Sequence, residues 1–209
     1  MIFLLIRNKI FLYLYAKKNC KLKHKILYCF IVCLVIVSCK NETTKNTINF
    51  DVNKELLFPV SQSITNDLHF NIPVNFTKIN ITSLENLKNV GLDSISNLPL
   101  LNHRFYFNEK DKSIIITSVV DKLYNKEFIL AETLKYSKNK KLWEKESSTE
   151  YVNNELSFNQ FLLQNKDYIV FKLLVEKDKR TSELNYIISK RNYTEDIAKK
   201  IESSIGSIK

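Results

Sequence analysis

The chain changes its hydrophobic pattern once. Up to Cys39 apolar residues stand in unbroken blocks; from Lys40 onward they recur with the spacings of strands and helices. In the second region, Asp67 to Pro73 alternates, with Leu68, Phe70 and Ile72 on one face, which predicts a strand stopped by Pro73. Glu55 to Val60 is a short apolar patch at an edge. Thr82 or Ser83 caps a short predicted helix that carries Leu84, Leu87 and Val90 and ends near Gly91. Leu92 to Asn102 reads as loop around Pro99. His103 to Asn108 and Ser113 to Val120 flank the polar turn Glu109 to Lys112, the pattern of a hairpin.

Asn125 to Leu142 lacks Gly and Pro and predicts a helix with the stripe Phe128, Leu130, Ala131 and Leu134. Its far end is a solvated lysine face of Lys135, Lys138, Lys140 and Lys141. Leu156 to Gln164, Tyr168 to Glu176 and Glu183 to Lys190 predict three antiparallel strands, with turns at Asn165 to Asp167 and Lys177 to Ser182. A closing helix is predicted from Asn192, with Glu195 placed as in a capping box. Its stripe is Tyr193, Ile197, Ile201, Ile205 and Ile208. The order of elements predicts an α+β fold, an antiparallel sheet with packed helices.

The first 39 residues follow a different logic. Lys17, Lys18, Lys21, Lys23 and Lys25 precede twelve apolar residues, Ile26 to Val37, and then Ser38-Cys39. A basic cluster, about 7–15 apolar residues and a small residue make a secretory signal. A spanning helix needs roughly 20 apolar residues, so this run is short for an anchor. The competing reading is an uncleaved transmembrane helix. Met1 to Tyr15 is also apolar, broken by Arg7-Asn8-Lys9. It is either a second hydrophobic element or upstream sequence, since the signal is complete from Lys17 onward and residues 1–16 add nothing to it.

Charge and cysteine change meaning once this segment is set aside. The whole chain carries +10, but residues 1–39 hold seven basic residues and no acid. Lys40 to Lys209 has 25 basic against 22 acidic residues, or +3. The basicity belongs mostly to the signal and gives no nucleic-acid footprint. Cys20, Cys29, Cys33 and Cys39 all lie at or before the cleavage point, so the domain has no thiol for a disulfide or thiolate metal site. No two glycines lie close together, which excludes a Gly-rich phosphate loop.

Ile36-Val37-Ser38-Cys39 resembles the lipobox of bacterial lipoproteins: an aliphatic residue, a tolerant position, a small residue and a cysteine. The family favours Leu where Ile36 stands. The resemblance implies cleavage before Cys39, acyl chains such as palmitate on Cys39, and attachment to the membrane through them. Several chains hold a protein durably, where one does so marginally. Lys40 stands where an Asp would favour the inner membrane, so the outer membrane is the implied destination, with the periplasmic and surface faces both open. The expected organisation is a signal peptide over 1–38, the lipidated cysteine with a polar tether over 39–54, and one α+β domain over 55–209.

The domain has a resemblance of its own. Phe70-Asn71-Ile72-Pro73, the antiparallel strands and the closing Tyr193-Thr194-Glu195-Asp196-Ile197 with Ile201 to Ile208 are similar to PsbP-like domains over about residues 66–209. Those are α/β/α sandwiches found in many bacterial lipoproteins. They share no catalytic set, so the resemblance implies an accessory or binding role and no cofactor.

Candidate chemistry in the domain is sparse. His69 and His103 each stand alone in a predicted strand, without a partner at metal-ligand spacing, and no HExxH, GxSxG or Walker pattern is present. Such histidines more often pack or face solvent. Glu195-Asp196 fits a helix N-terminus better than acid–base work. Phe158, Phe161, Tyr168 and Phe171 either line a ligand pocket or fill the core. Trp143 with the lysines of 138–145 either touches anionic headgroups or lies in a solvated face. The sequons at Asn75 and Asn80 are accidental in a bacterial lipoprotein. Three functions remain. The first is a lipid-anchored accessory protein that binds another envelope protein, which predicts an exposed apolar patch with a polar rim. The alternative is a carrier of a small hydrophobic ligand, which predicts an enclosed apolar cavity. An enzyme would need a cleft of converging titratable groups.

Overall fold

Leu184, Tyr186 and Ile188 pack on one side of their strand, while Glu183, Asn185 and Ile187 are buried on the other. A strand that buries both faces must sit inside a sheet covered twice, and the molecule is built around that requirement. The computed structural model describes residues 46–65, 67–79 and 96–209, all within one compact unit, Lys45–Lys209.

Ten strands are described. β1 (Asn46–Thr47), β4 (Thr77–Ile79), β5 (Leu100–Asn108), β6 (Ser113–Val120), β7 (Lys145–Asn153), β8 (Leu156–Gln164), β9 (Tyr168–Lys177) and β10 (Arg180–Ser189) form one sheet. Its order is β1-β7-β8-β9-β10-β6-β5-β4. Every pairing is antiparallel except β1 on β7, so the sheet is mixed. β2 (Gln62–Ser63) and β3 (His69–Phe70) make a separate small ladder. Two helices are described, α1 (Lys126–Ser137) and α2 (Glu195–Gly206). Among the described residues no helix is long and apolar enough to cross a membrane.

α2 lies on one face. Ile197, Ile201, Ile205 and Ile208 pack with Tyr106, Ile115, Tyr151, Phe158, Leu173 and Val175, and Leu68, Phe70 and Ile72 join them as their alternation predicts. Burying each isoleucine removes about 1.5–3 kcal/mol of unfavourable hydration. α2 starts later than predicted. Its cap is Thr194, whose Oγ1 accepts from Ile197 N at 3.3 Å, and Lys190–Asn192 is a separate 3-10 turn. Tyr193 is consequently outside the helix and exposed. The serines of α2 bind irregular backbone: Ser203 Oγ accepts from Asn53 N, Ser204 Oγ donates to Asn71 O, and Ser207 Oγ accepts from Asn71 N.

α1 covers the other face, where Ile129 and Tyr136 meet Phe105, Ile114, Ile116, Phe161, Leu163 and Ile187. Its extent corrects the prediction: Asn125 caps it as expected, but it stops at Ser137. Its inward stripe is Ile129, Thr133, Tyr136 and Ser137, while Phe128, Ala131 and Leu134 are exposed. The apolar-only stripe failed because a Thr can face inward when its hydroxyl donates back to its own helix, as Thr133 Oγ1 does to Ile129 O at 2.8 Å. Trp143 is 4% exposed and packs edge-on against Tyr136, so it is core and not a headgroup contact.

The predicted hairpin is β5–β6, lengthened by Leu100 to Asn102 from the predicted loop. The pattern does not predict β7, because all its residues but Tyr151 and Val152 are polar. It turns the three-stranded meander into four strands. Asn154-Glu155 and Asp178-Lys179 are its two-residue turns, all four residues with φ between 48° and 65°, as a tight hairpin demands. Leu57 bridges to Pro73 after a 3-10 turn at Lys54–Leu56. The tether reading needs a shorter segment: Ile48 and Phe50 pack on the core, and Asn46 already pairs with Tyr151. The predicted helix with Leu84, Leu87 and Val90 lies outside the described residues.

Candidate binding cleft

Among the described residues a cleft of about 990 Å³ opens at one end of the sheet. Five pieces of chain build it, the first being Ser63 to Thr65. β4 contributes Lys78 and Ile79. The start of β5 contributes Leu101 to Phe105, and the β6–α1 connection contributes Asp121 to Asn125. The β9–β10 turn contributes Lys179 and Arg180.

Local backbone sets what each piece presents. The β5–β6 register shifts between Leu101 and Arg104, where Asn102 has φ 55°. Such a bulge re-aims side chains. Here it leaves Leu101 49% exposed while Phe105 returns to the core. In the β6–α1 connection Asp121 Oδ1 accepts from Leu123 N at 3.1 Å. That local turn holds Leu123 outward, 87% exposed. Tyr124 follows and stacks on Phe128 at 4.8 Å between ring centres. Leu101, Leu123, Tyr124 and Phe128 are thus large exposed apolar residues at or beside the mouth.

The rim is cationic. Lys78, Arg104, Lys122, Lys126, Lys179 and Arg180 line the cleft against Asp121 and Glu176. Lys126 pairs with Glu176 at 2.6 Å, half exposed, an interaction worth about 0–1 kcal/mol. Among the described residues, the other five cations have no carboxylate within ion-pair distance.

On the sheet face under α1 lies a dry charged pair. Lys172 Nζ sits 2.6 Å from Glu183 Oε2, both side chains 0% exposed. Ser96 Oγ donates to Glu183 Oε2 at 2.9 Å, and Asn185 Nδ2 donates to Oε1 at 2.7 Å. Lys172 Nζ also lies 5.4 Å from the centre of the Tyr136 ring. Burial pushes the Lys172 ammonium below its usual range, and Glu183 opposes that shift. Burial, then the Glu183 charge, pushes the Tyr136 hydroxyl up. Neither charge lines the cleft. The pair ties β9 to β10 and is structural. Sequence reasoning passed over it, although a lysine inside Val170-Phe171-Lys172-Leu173-Leu174 is a visible signal.

The predicted site residues are placed as follows. His103 lines the cleft, exposed, with Nδ1 2.8 Å from the buried Ser118 Oγ. His69 does not line it; its backbone N–H and C=O pair with Lys209. The aromatic group divides across the sheet: Phe158 and Phe171 face α2, Phe161 and Tyr168 face α1, and none lines the cleft. Glu195 and Asp196 make ion pairs with Lys199 and Lys200 on the exposed side of α2. Among the described residues no three His, Cys, Asp or Glu side chains gather as a metal site. Ile36, Val37, Ser38 and Cys39 lie outside the described residues. The cationic rim was not foreseen, because its members are far apart in sequence and only the fold assembles them.

No protein-family model matches the chain, and no curated protein matches it.

Proposed function

We propose that this chain is a lipid-anchored accessory protein of the bacterial envelope that binds another envelope protein at the mouth of the cleft. The observation that carries the reading is the exposed group Leu101, Leu123, Tyr124 and Phe128 beside a charged rim. Apolar residues exposed together and bordered by polar ones mark an interaction surface. The lipobox-like Ile36-Val37-Ser38-Cys39 supports attachment through acyl chains on Cys39, at the outer membrane. A helix on each face of a largely antiparallel sheet supports the likeness to PsbP-like sandwiches and, with it, an accessory role without catalysis. The carrier alternative calls for an enclosed apolar cavity, whereas the cleft is open and mixes charge with apolar surface.

The test has two arms. Intact mass of the membrane-extracted protein should show an N-terminus at Cys39 with added acyl mass, lost in Cys39→Ala. A photo-crosslinking residue at Leu123 should give one discrete adduct in intact cells, while the same residue at Lys199, on the exposed side of α2, should give none. An unprocessed wild-type mass removes the anchor; identical adduct patterns from both positions remove the binding surface.

A further inference from the structure

We infer that the cleft takes an acidic segment of the partner protein: an extended stretch carrying two or more carboxylates with an apolar side chain between them. The inference rests on the protein-binding reading above and names the chemistry of its partner. Lys78, Arg104, Lys122, Lys179 and Arg180 surround one cleft with no ion pair among the described residues. Like charges gathered at a concave surface repel one another, and the low-dielectric wall focuses their field outward. An occupant with carboxylates relieves that repulsion and gains charge-assisted hydrogen bonds, two of them to arginine forks.

The arrangement selects among anions. The five cations come from four separate pieces of chain, and Ile79, Leu101 and Leu123 line the same cleft. A single phosphate would meet one or two of them. A fatty chain would want a closed apolar slot, and the cleft is open. A peptide with spaced carboxylates matches both features at once: its charges reach separate cations and an intervening Leu or Phe meets the exposed Leu101 and Leu123. A cleft of about 990 Å³ is large enough for several residues of extended chain.

The probe is a fluorescent heptapeptide series around a central Phe, with zero, two or four Asp in place of Asn, titrated into the full-length lipoprotein in detergent. Affinity should rise about 2- to 5-fold per carboxylate, the range of exposed ion pairs, and fall as salt is raised. Arg104→Gln with Arg180→Gln should flatten the series, while Lys140→Gln with Lys199→Gln should leave it unchanged. Thermal unfolding of each variant beside wild type shows that the fold is retained. Inorganic phosphate is the second probe. Equal affinity for neutral and acidic peptides, no peptide binding at all, or phosphate binding as tight as the four-Asp peptide would each overturn the inference. A discrete adduct at Leu123 with a flat peptide series would leave the binding function standing and discard only its acidic partner.

Discussion

At the scale of single residues, the Lys172–Glu183 pair decides most. Two fully buried charges 2.6 Å apart are tolerable only together. Glu183→Gln removes the carboxylate charge that faces the Lys172 ammonium and turns the acceptor of the Ser96 hydroxyl into a neutral amide. That change should cost about 3–5 kcal/mol, measured as a lower urea midpoint. Lys172→Met combined with Glu183→Leu removes both charges and should recover most of that loss. A double variant no more stable than Glu183→Gln would show that the hydrogen bonds to Ser96 and Asn185, not the charge, hold the strands. The pair also shows where sequence reasoning falls short. Alternation identifies which face a residue takes, but a charge on the buried face looks like an error until its partner on the next strand is known.

At the scale of elements, legibility follows the chemistry of the buried stripe. α2 is readable because Ile197, Ile201 and Ile205 stand at steps of four on its inward face, although Ser203 and Ser204 are buried there too. α1 was placed but turned wrongly, because its inward positions include Thr133 and Ser137. β7 was invisible, because an edge strand with one solvated face carries little apolar signal. Among the described residues β1 pairs with Tyr151 and Val152 alone, and the charges of β7 lie along the rest of that edge. The end of α2 gives a sharp test. A Cβ on Gly206 would lie 2.5 Å from Phe50 Cβ and 2.8 Å from Val52 Cγ2. Gly206→Ala must therefore displace residues 50–52, although alanine favours a helix by about 0.5–1 kcal/mol over glycine. We expect a net loss of about 1–3 kcal/mol and a new protease-sensitive site near Phe50. A gain in stability would show that this segment yields freely.

At the scale of the whole molecule, burial of tyrosine sets the alkaline limit. Burial raises Tyr106, Tyr136, Tyr151 and Tyr186 above their ordinary value of 10.0. The sign follows from where the proton is lost first. Above pH 10 the unfolded chain ionises these hydroxyls while the folded one keeps them neutral, so the unfolded state holds fewer protons and stability falls as pH rises. Lys172 acts in the opposite direction, because its lowered value makes the unfolded chain hold the extra proton below pH 10.5. Tyr168 is raised by burial as well, so one group opposes five, and stability should decline steadily from pH 10, with the absorbance of the buried tyrosinates appearing together with the loss of structure. Ionisation of all tyrosines while the fold persists would contradict the burial. The fold class was legible at this scale, since hairpin, helix, meander and closing helix were all in the pattern. The cleft was not, since Lys78, Arg104, Lys122 and Lys179 become neighbours only through sheet order.

If Cys39 carries the proposed anchor, the pairing of β1 with β7 limits how far this domain can roam. Asn46, the first residue of β1, pairs with Tyr151. With Cys39 lipidated, seven residue steps separate the acyl chains from the first fixed strand, a reach on the order of 25 Å at full stretch. A protein held on so short a leash, as proposed, would not patrol the width of the periplasm or the surroundings of the cell. On the proposed anchoring it would meet only what stands beside it at the bilayer surface, and the proposed partner would then be another resident of the same leaflet or a chain that emerges through it.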